Sequence, residues 1–237
     1  IQWPTGLTAM ASLGQVHVIV ENTTYAKADG AAWDGTLLDE WVELKEDSNA
    51  LSVVKDALDA KNMTQTGADK GYISEIAGLS EFDGGAQSGW MGTLNDWFTD
   101  QGLNQYTVAA GSLSAGDEVR MMYTKNWGAD LGYDWSGEDE SLASVVFSAG
   151  TLNQNFEAAV TSYTLTVPEG TTALTVVPIA VNKNFQTHIY ADGVEYKRTA
   201  QIPVTAGNTV LKITCGTKEY TFAVQKERTV SANVTIR

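Results

Sequence analysis

The 237-residue chain contains one cysteine, two histidines and four prolines, and its 15 lysines and arginines are outnumbered by 29 aspartates and glutamates. With Cys215 alone, no intrachain disulfide can form. The thiol sits in the alternating run VLKITCGTKEYTF, where a small buried apolar side chain is the expected role. His17 lies inside VHVIV and His188 inside THIYA, so neither joins a cluster with metal-ligand spacing. A net charge of −14 argues against nucleic acid and anionic membrane as partners, because both repel an acidic surface. No run approaches ~18 consecutive apolar residues, so this segment does not span a membrane as a helix. The nucleophile elbow, the phosphate-binding P-loop and the dinucleotide glycine fingerprint are all missing. No catalytic set, metal or cofactor is expected, and the chain reads as a non-enzyme.

What is present is the composition of a folded protein, 43% hydrophobic and 19% charged, with 22 glycines suited to a turn-rich β chain. Charge divides it unevenly. Residues 1–140 hold 23 acidic and 7 basic residues, and residues 141–237 hold 6 and 8. All seven tryptophans fall in the first part. This shift predicts two domains meeting near the acidic stretch 136–140. The expected organisation is a lead segment 1–15, a mixed domain 16–138, an all-β domain 141–228 and a tail 229–237.

The second part carries alternating runs at 162–167, 174–179, 187–191, 210–215 and 220–225, separated by turn pairs such as Asp192-Gly193. Several short strands over about 85 residues predict a β-sandwich. In the first part, QVHVIVENTTY (15–25) and WVELK (41–45) read as strands. Leu51, Val54 and Leu58 then follow helical spacing behind a possible Ser or Asp cap. Strand signals return at YISEI (72–76), GWMGTLN (89–95) and EVRMMYT (118–124). The fold class expected is mainly β: an α+β domain with one main helix, then an all-β sandwich.

Two family resemblances add detail. The strand opening at Val16, the helix at 49–60 and the blocks SGWMGTLN (88–95) and GSLSAGDEVRMMYT (111–124) resemble an uncharacterised bacterial family related to the C-terminal domain of transcobalamin. That resemblance implies a β-grasp-like sheet packed on one helix. Residues 147–186, with the Ser162–Pro168 run, and the closing 218–226 resemble the cadherin-like β-sandwich family of bacterial surface proteins. Both resemblances imply an exported module of a Gram-positive gut bacterium, held at the cell surface through parts of a longer protein. A chain that opens at Ile1 without a signal peptide fits a segment of such a precursor.

Functional candidates are few. Glu40, Glu43, Asp96, Asp100 and Asp117 could supply a glycosidase pair, but a solvated acidic face is the simpler reading. Asp29 with Asp34, and Asp130 with Asp134 and Asp139, could offer calcium ligands, though turn formation accounts for them. The best lead is aromatic. Trp97 and Phe98 follow Asn95-Asp96, and Trp127, Tyr133 and Trp135 crowd the loop KNWGADLGYDWSGEDE. Flat apolar faces beside carboxylates and amides suit an extracellular ligand: a protein, a glycan or a corrinoid. The function expected is a non-enzymatic adhesion or ligand-binding module. Its alternative is a pair of domains that binds cobalamin or carbohydrate.

Overall fold

The structure, a computed structural model, describes residues 11–205 and 208–228. Most of the expected lead segment, with Trp3, and the whole expected tail lie outside the described residues. The described chain is mainly β with a single α-helix among the described residues, as its composition and alternating runs predict.

The first core is built on a five-stranded sheet. Strands β1 (Gln15–Asn22) and β2 (Gly35–Glu43) form an antiparallel hairpin, and α1 (Ala50–Ala60) follows. A small ribbon of β3 (Gln65–Thr66), β4 (Glu75–Ile76) and β5 (Leu79–Ser80) leads to β6 (Gly89–Leu94), β7 (Trp97–Phe98) and β8 (Glu118–Thr124). The order is β2-β1-β8-β6-β7, with β8 parallel to β1, so the topology is β-grasp-like. Period 2 sends Val16, Val18 and Val20 of β1 to the helix side with Val119, Met121 and Tyr123 of β8. Helix α1 buries Leu51, Val54 and Leu58 as their spacing requires, and adds Ala50, Val53 and Ala57.

Three local readings are corrected. The strand expected at 41–45 is the end of a longer one, Gly35–Glu43. The helix cap is Asn49, not a Ser or Asp: its Oδ1 accepts from Leu51 N and Ser52 N at 2.9 and 2.8 Å, and Ser52 Oγ accepts from Asn49 N at 2.8 Å. YISEI keeps strand pairing only at Glu75–Ile76. Upstream, Gly67 at φ +101° starts a turn in which Tyr72 N donates to Gly67 O, which takes Tyr72 out of any ladder.

The second core is sandwich-like. Its larger layer contains β10 (Thr151–Leu152), β11 (Ser162–Val167), β14 (Thr187–Ala191), β15 (Val194–Tyr196), β17 (Val210–Cys215) and β18 (Lys218–Lys226), in the order β10-β11-β18-β17-β14-β15. Two ribbons complete the fold. One pairs β9 (Leu142–Phe147) with β13 (Val176–Ala180), the other β12 (Ala173–Leu174) with β16 (Ile202–Pro203). The run expected at 174–179 is therefore split at Thr175. Leu174 pairs with Ile202 and Val176 with Phe147, so the chain changes partners there. Leu165, Ile189, Leu211 and Phe222 from the sheet meet Leu142, Leu174, Val176 and Ile202 from the ribbons in one core, which also holds Cys215.

Candidate functional site

The loop after β8 is built from its own sequence. Thr124 Oγ1 accepts from Gly128 N at 2.7 Å and donates to Asp130, whose other oxygen takes Lys125 N at 2.8 Å. Gly128 and Gly132 hold the left-handed region, at φ +86° each, and let the chain reverse twice within five residues. Trp127 N donates to Gln87 O at 3.0 Å and ties this loop to the one before β6.

Between these loops lies a groove of about 790 Å³. Trp90 forms its inner wall, 3% exposed, with its indole N–H donating to Leu79 O at 3.0 Å. Four large aromatics on the rim stand in solvent: Tyr72 is 48% exposed, Phe82 60%, Trp127 64% and Trp135 78%. Tyr133 joins them, braced edge-on by Phe98 with ring centroids 5.4 Å apart. Polar atoms between the rings come from Glu81, Gln87, Asn126 and Asp134. Tyr72 donates its hydroxyl to Glu81 at 2.9 Å; burial first, then this carboxylate, pushes the phenol up to about 12.

The five aromatics singled out by sequence therefore separate. Trp127, Tyr133 and Trp135 line the groove. Phe98 is 4% exposed and supports Tyr133 from beneath. Trp97 faces elsewhere: its indole N–H donates to Asn184 O at 3.0 Å, and its ring meets Tyr106 edge-on in a second cleft of about 450 Å³ between the two cores. In that cleft Lys197 forms an ion pair with Asp117, and the His188 ring meets Glu195 at 2.6 Å. Sequence reasoning missed Tyr72, assigned to a strand, and Phe82, whose one signal was a bulky aromatic beside the turn residues Asp83-Gly84-Gly85.

The candidate carboxylates have other work. Glu40 pairs with Lys61 at 2.7 Å, and Glu43 accepts from Ser12 at 3.0 Å. Asp96 pairs with Lys183 at 2.8 Å, Asp100 accepts from Tyr106, and Asp117 takes Ser114 N at 2.8 Å as a turn residue. Of the calcium candidates, Asp34 takes Lys27 N at 2.7 Å and Asp139 takes Ser141 N at 2.9 Å. Among the described residues, no group of three or more His, Cys, Asp or Glu side chains could hold a metal ion. His17 stacks on Trp41 at 5.0 Å and pairs with Asp39.

Residues 47–125 match a family described as a domain of unknown function (DUF4430). The matched segment runs from the helix cap to the start of the groove loop, so Trp127, Tyr133 and Trp135 lie just beyond it. No curated protein and no solved structure matches the chain.

Proposed function

We propose that this chain is a non-catalytic carbohydrate-binding module of an extracellular bacterial surface protein, with the aromatic groove as its binding site. One observation carries the reading: Tyr72, Phe82, Trp127 and Trp135 expose their rings on the rim of a single groove. Large aromatics grouped in solvent are the mark of a binding surface, because water contact with flat apolar faces is unfavourable until a ligand covers them. Sugar rings fit that surface. Their C–H faces stack on aromatic planes while their hydroxyls reach amides and carboxylates such as Gln87, Asn126 and Glu81. The resemblances of the two halves to a transcobalamin-related family and to cadherin-like surface domains support export and display.

Calorimetric titration with neutral oligosaccharides tests the proposal. Trp127→Ala with Trp135→Ala is expected to weaken binding about tenfold or more, since each stacked ring contributes on the order of 1 kcal/mol. Unchanged affinity in that double variant overturns the assignment, as does cleavage of the oligosaccharide during the titration. Quenching of tryptophan fluorescence by cobalamin, with no response to any glycan, transfers the groove to corrinoid capture.

A further inference from the structure

The groove is one-sided in charge. Six aromatic rings and two carboxylates, Glu81 and Asp134, line it with no lysine, arginine or histidine among them. Among the described residues, neither carboxylate has an ion-pair partner. The neighbouring Lys125 sits with its ammonium over the Tyr25 ring at 5.1 Å. The second cleft shows the contrast, because Asp117 there has a cation of this chain, Lys197, and Glu195 has the His188 ring as its partner.

Both groove carboxylates are held in place while keeping accepting capacity. Glu81 uses Oε2 for the Tyr72 hydroxyl, which leaves Oε1 for a ligand. Asp134 accepts from Ser136 N and Ser136 Oγ through Oδ1, both at 3.3 Å, and its backbone is fixed from both ends: its N–H donates to Asn184 Oδ1 at 2.9 Å and its carbonyl accepts from Asn182 Nδ2 at 2.7 Å. A preorganised acceptor costs less to engage than a mobile one.

Aromatic faces and unpaired carboxylates favour the same ligand group. An ammonium is attracted to the negative face of an indole or phenol ring, and it also pairs with carboxylate oxygens. An anionic ligand is disfavoured locally and by the surplus of acidic residues across residues 1–140.

We propose that the groove selects glycans bearing free amino groups, that is oligomers of de-N-acetylated hexosamine, over their N-acetylated and acidic counterparts. This rests on the carbohydrate reading above and narrows it by charge. The amine of one sugar unit sits between Glu81 and the rings of Tyr72 and Phe82 or beside Asp134, while neighbouring units stack on Trp127 and Trp135.

The test is calorimetry on the whole chain at about pH 6, where carboxylates stay ionised, with three ligands of equal length: a glucosamine oligomer, an N-acetylglucosamine oligomer and a galacturonate oligomer. The expected order places the glucosamine oligomer at least about fivefold tighter than the acetylated one, with the acidic one weakest. Glu81→Gln with Asp134→Asn is expected to erase the preference, lowering affinity for the glucosamine oligomer at least about fivefold more than affinity for the acetylated one. Raising sodium chloride on the parent protein must also shrink the preference, because exposed charge pairs are screened; this arm stands even where the double variant does not fold. Equal affinity for the two hexosamine oligomers overturns this proposal and leaves the carbohydrate reading intact. A preference that survives the double variant or high salt overturns it too. Binding of choline without binding of any oligosaccharide, or no binding at all, removes the carbohydrate reading itself.

Discussion

Asn182 of the second core donates through Nδ2 to the backbone carbonyl of Asp134, 2.7 Å away, in the loop that carries Tyr133 and Trp135 of the groove. The same amide reaches Gly137 O at 3.2 Å, and Asn182 is 3% exposed. Its neighbours extend the connection. Lys183 N donates to Gly132 O, and Phe98 N to Lys183 O, each at 2.9 Å. With Asn184, whose Oδ1 accepts from Asp134 N at 2.9 Å, three consecutive residues of one core thus hold the groove loop and strand β7 of the other.

Removing that side chain tests the coupling. Asn182→Ala leaves two carbonyls without this buried donor and is expected to destabilise the junction by about 1–3 kcal/mol. Hydrogen exchange at Tyr133 and Asp134 should accelerate while β1 and β8 amides stay protected. Ligand affinity at the groove falls in step, since a mobile Trp135 must be ordered on binding. Unaltered exchange in residues 128–137 would show that the loop holds its shape without the second core.

A second test addresses charge at the junction. Asp96, 7% exposed, faces Lys183 Nζ at 2.8 Å and an Arg198 guanidinium nitrogen at 3.7 Å. Removing the carboxylate leaves two cations without their shared partner, a loss on the order of 3 kcal/mol. Asp96→Asn is the variant of choice because Asp96 stands at φ +61°, which asparagine tolerates. Urea denaturation should show the loss, and Lys183→Met should cost less than Asp96→Asn. The reverse order would mean that the carboxylate is not the hub.

The helix cap gives a local prediction. Asn49→Ala removes the acceptor for Leu51 N and Ser52 N and is expected to cost about 1 kcal/mol. Asn49→Asp and Asn49→Ser keep an acceptor and should restore most of it. Thermal melts of the three variants decide, and an alanine variant as stable as the parent refutes the cap's contribution.

Alkaline pH is expected to destabilise the fold. Burial, then the charges of Glu140 and Asp139, raises the Cys215 thiol from 9.0 to about 11. Burial, then Glu81, raises Tyr72 from 10.0 to about 12, and burial, then Asp100, does the same for Tyr106. The native state therefore keeps these protons longer than the unfolded chain. The linked stability is fully present below the unfolded-state values and is lost as pH rises through the folded ones, from about 9 to about 12. Equilibrium unfolding across that window should show the fall, and Cys215→Ala should remove its lower part. A flat profile from pH 9 to 11 in the parent would contradict the thiol's share.

Much of the fold was legible because its signals are local. EVRMMYT reads as a strand from its apolar residues, THIYA and VLKITC from their alternation, and all three form strands with those bounds. Leu51, Val54 and Leu58 mark a helix because 3.6-residue spacing puts them on one buried stripe. Where the reading failed, a partner or turn that the alternation does not announce intervened. Nothing near Thr175 announces that Leu174 and Val176 pair with different ribbons, and Tyr72 leaves its strand because Gly67 turns the chain five residues earlier.

The site was legible only in its chemistry. A loop rich in tryptophan, tyrosine and aspartate points to binding wherever it sits, which is how Trp127, Tyr133 and Trp135 stood out. Which aromatics share a surface is a different matter. Trp97 and Phe98 are adjacent in sequence, and successive strand residues face opposite ways, so one enters the cleft between the cores while the other supports Tyr133.

By itself, the sequence determined the β-rich class, the helix and the aromatic, acidic character of the first part, because propensity, periodicity and charge act over a few residues. Only the tertiary structure decided that Tyr72 and Phe82 complete the groove, that Phe98 lies beneath it, and that Asn182 and Asn184 clamp its outer loop. Those contacts join segments tens of residues apart, and their geometry follows from how two cores pack, which no local pattern encodes.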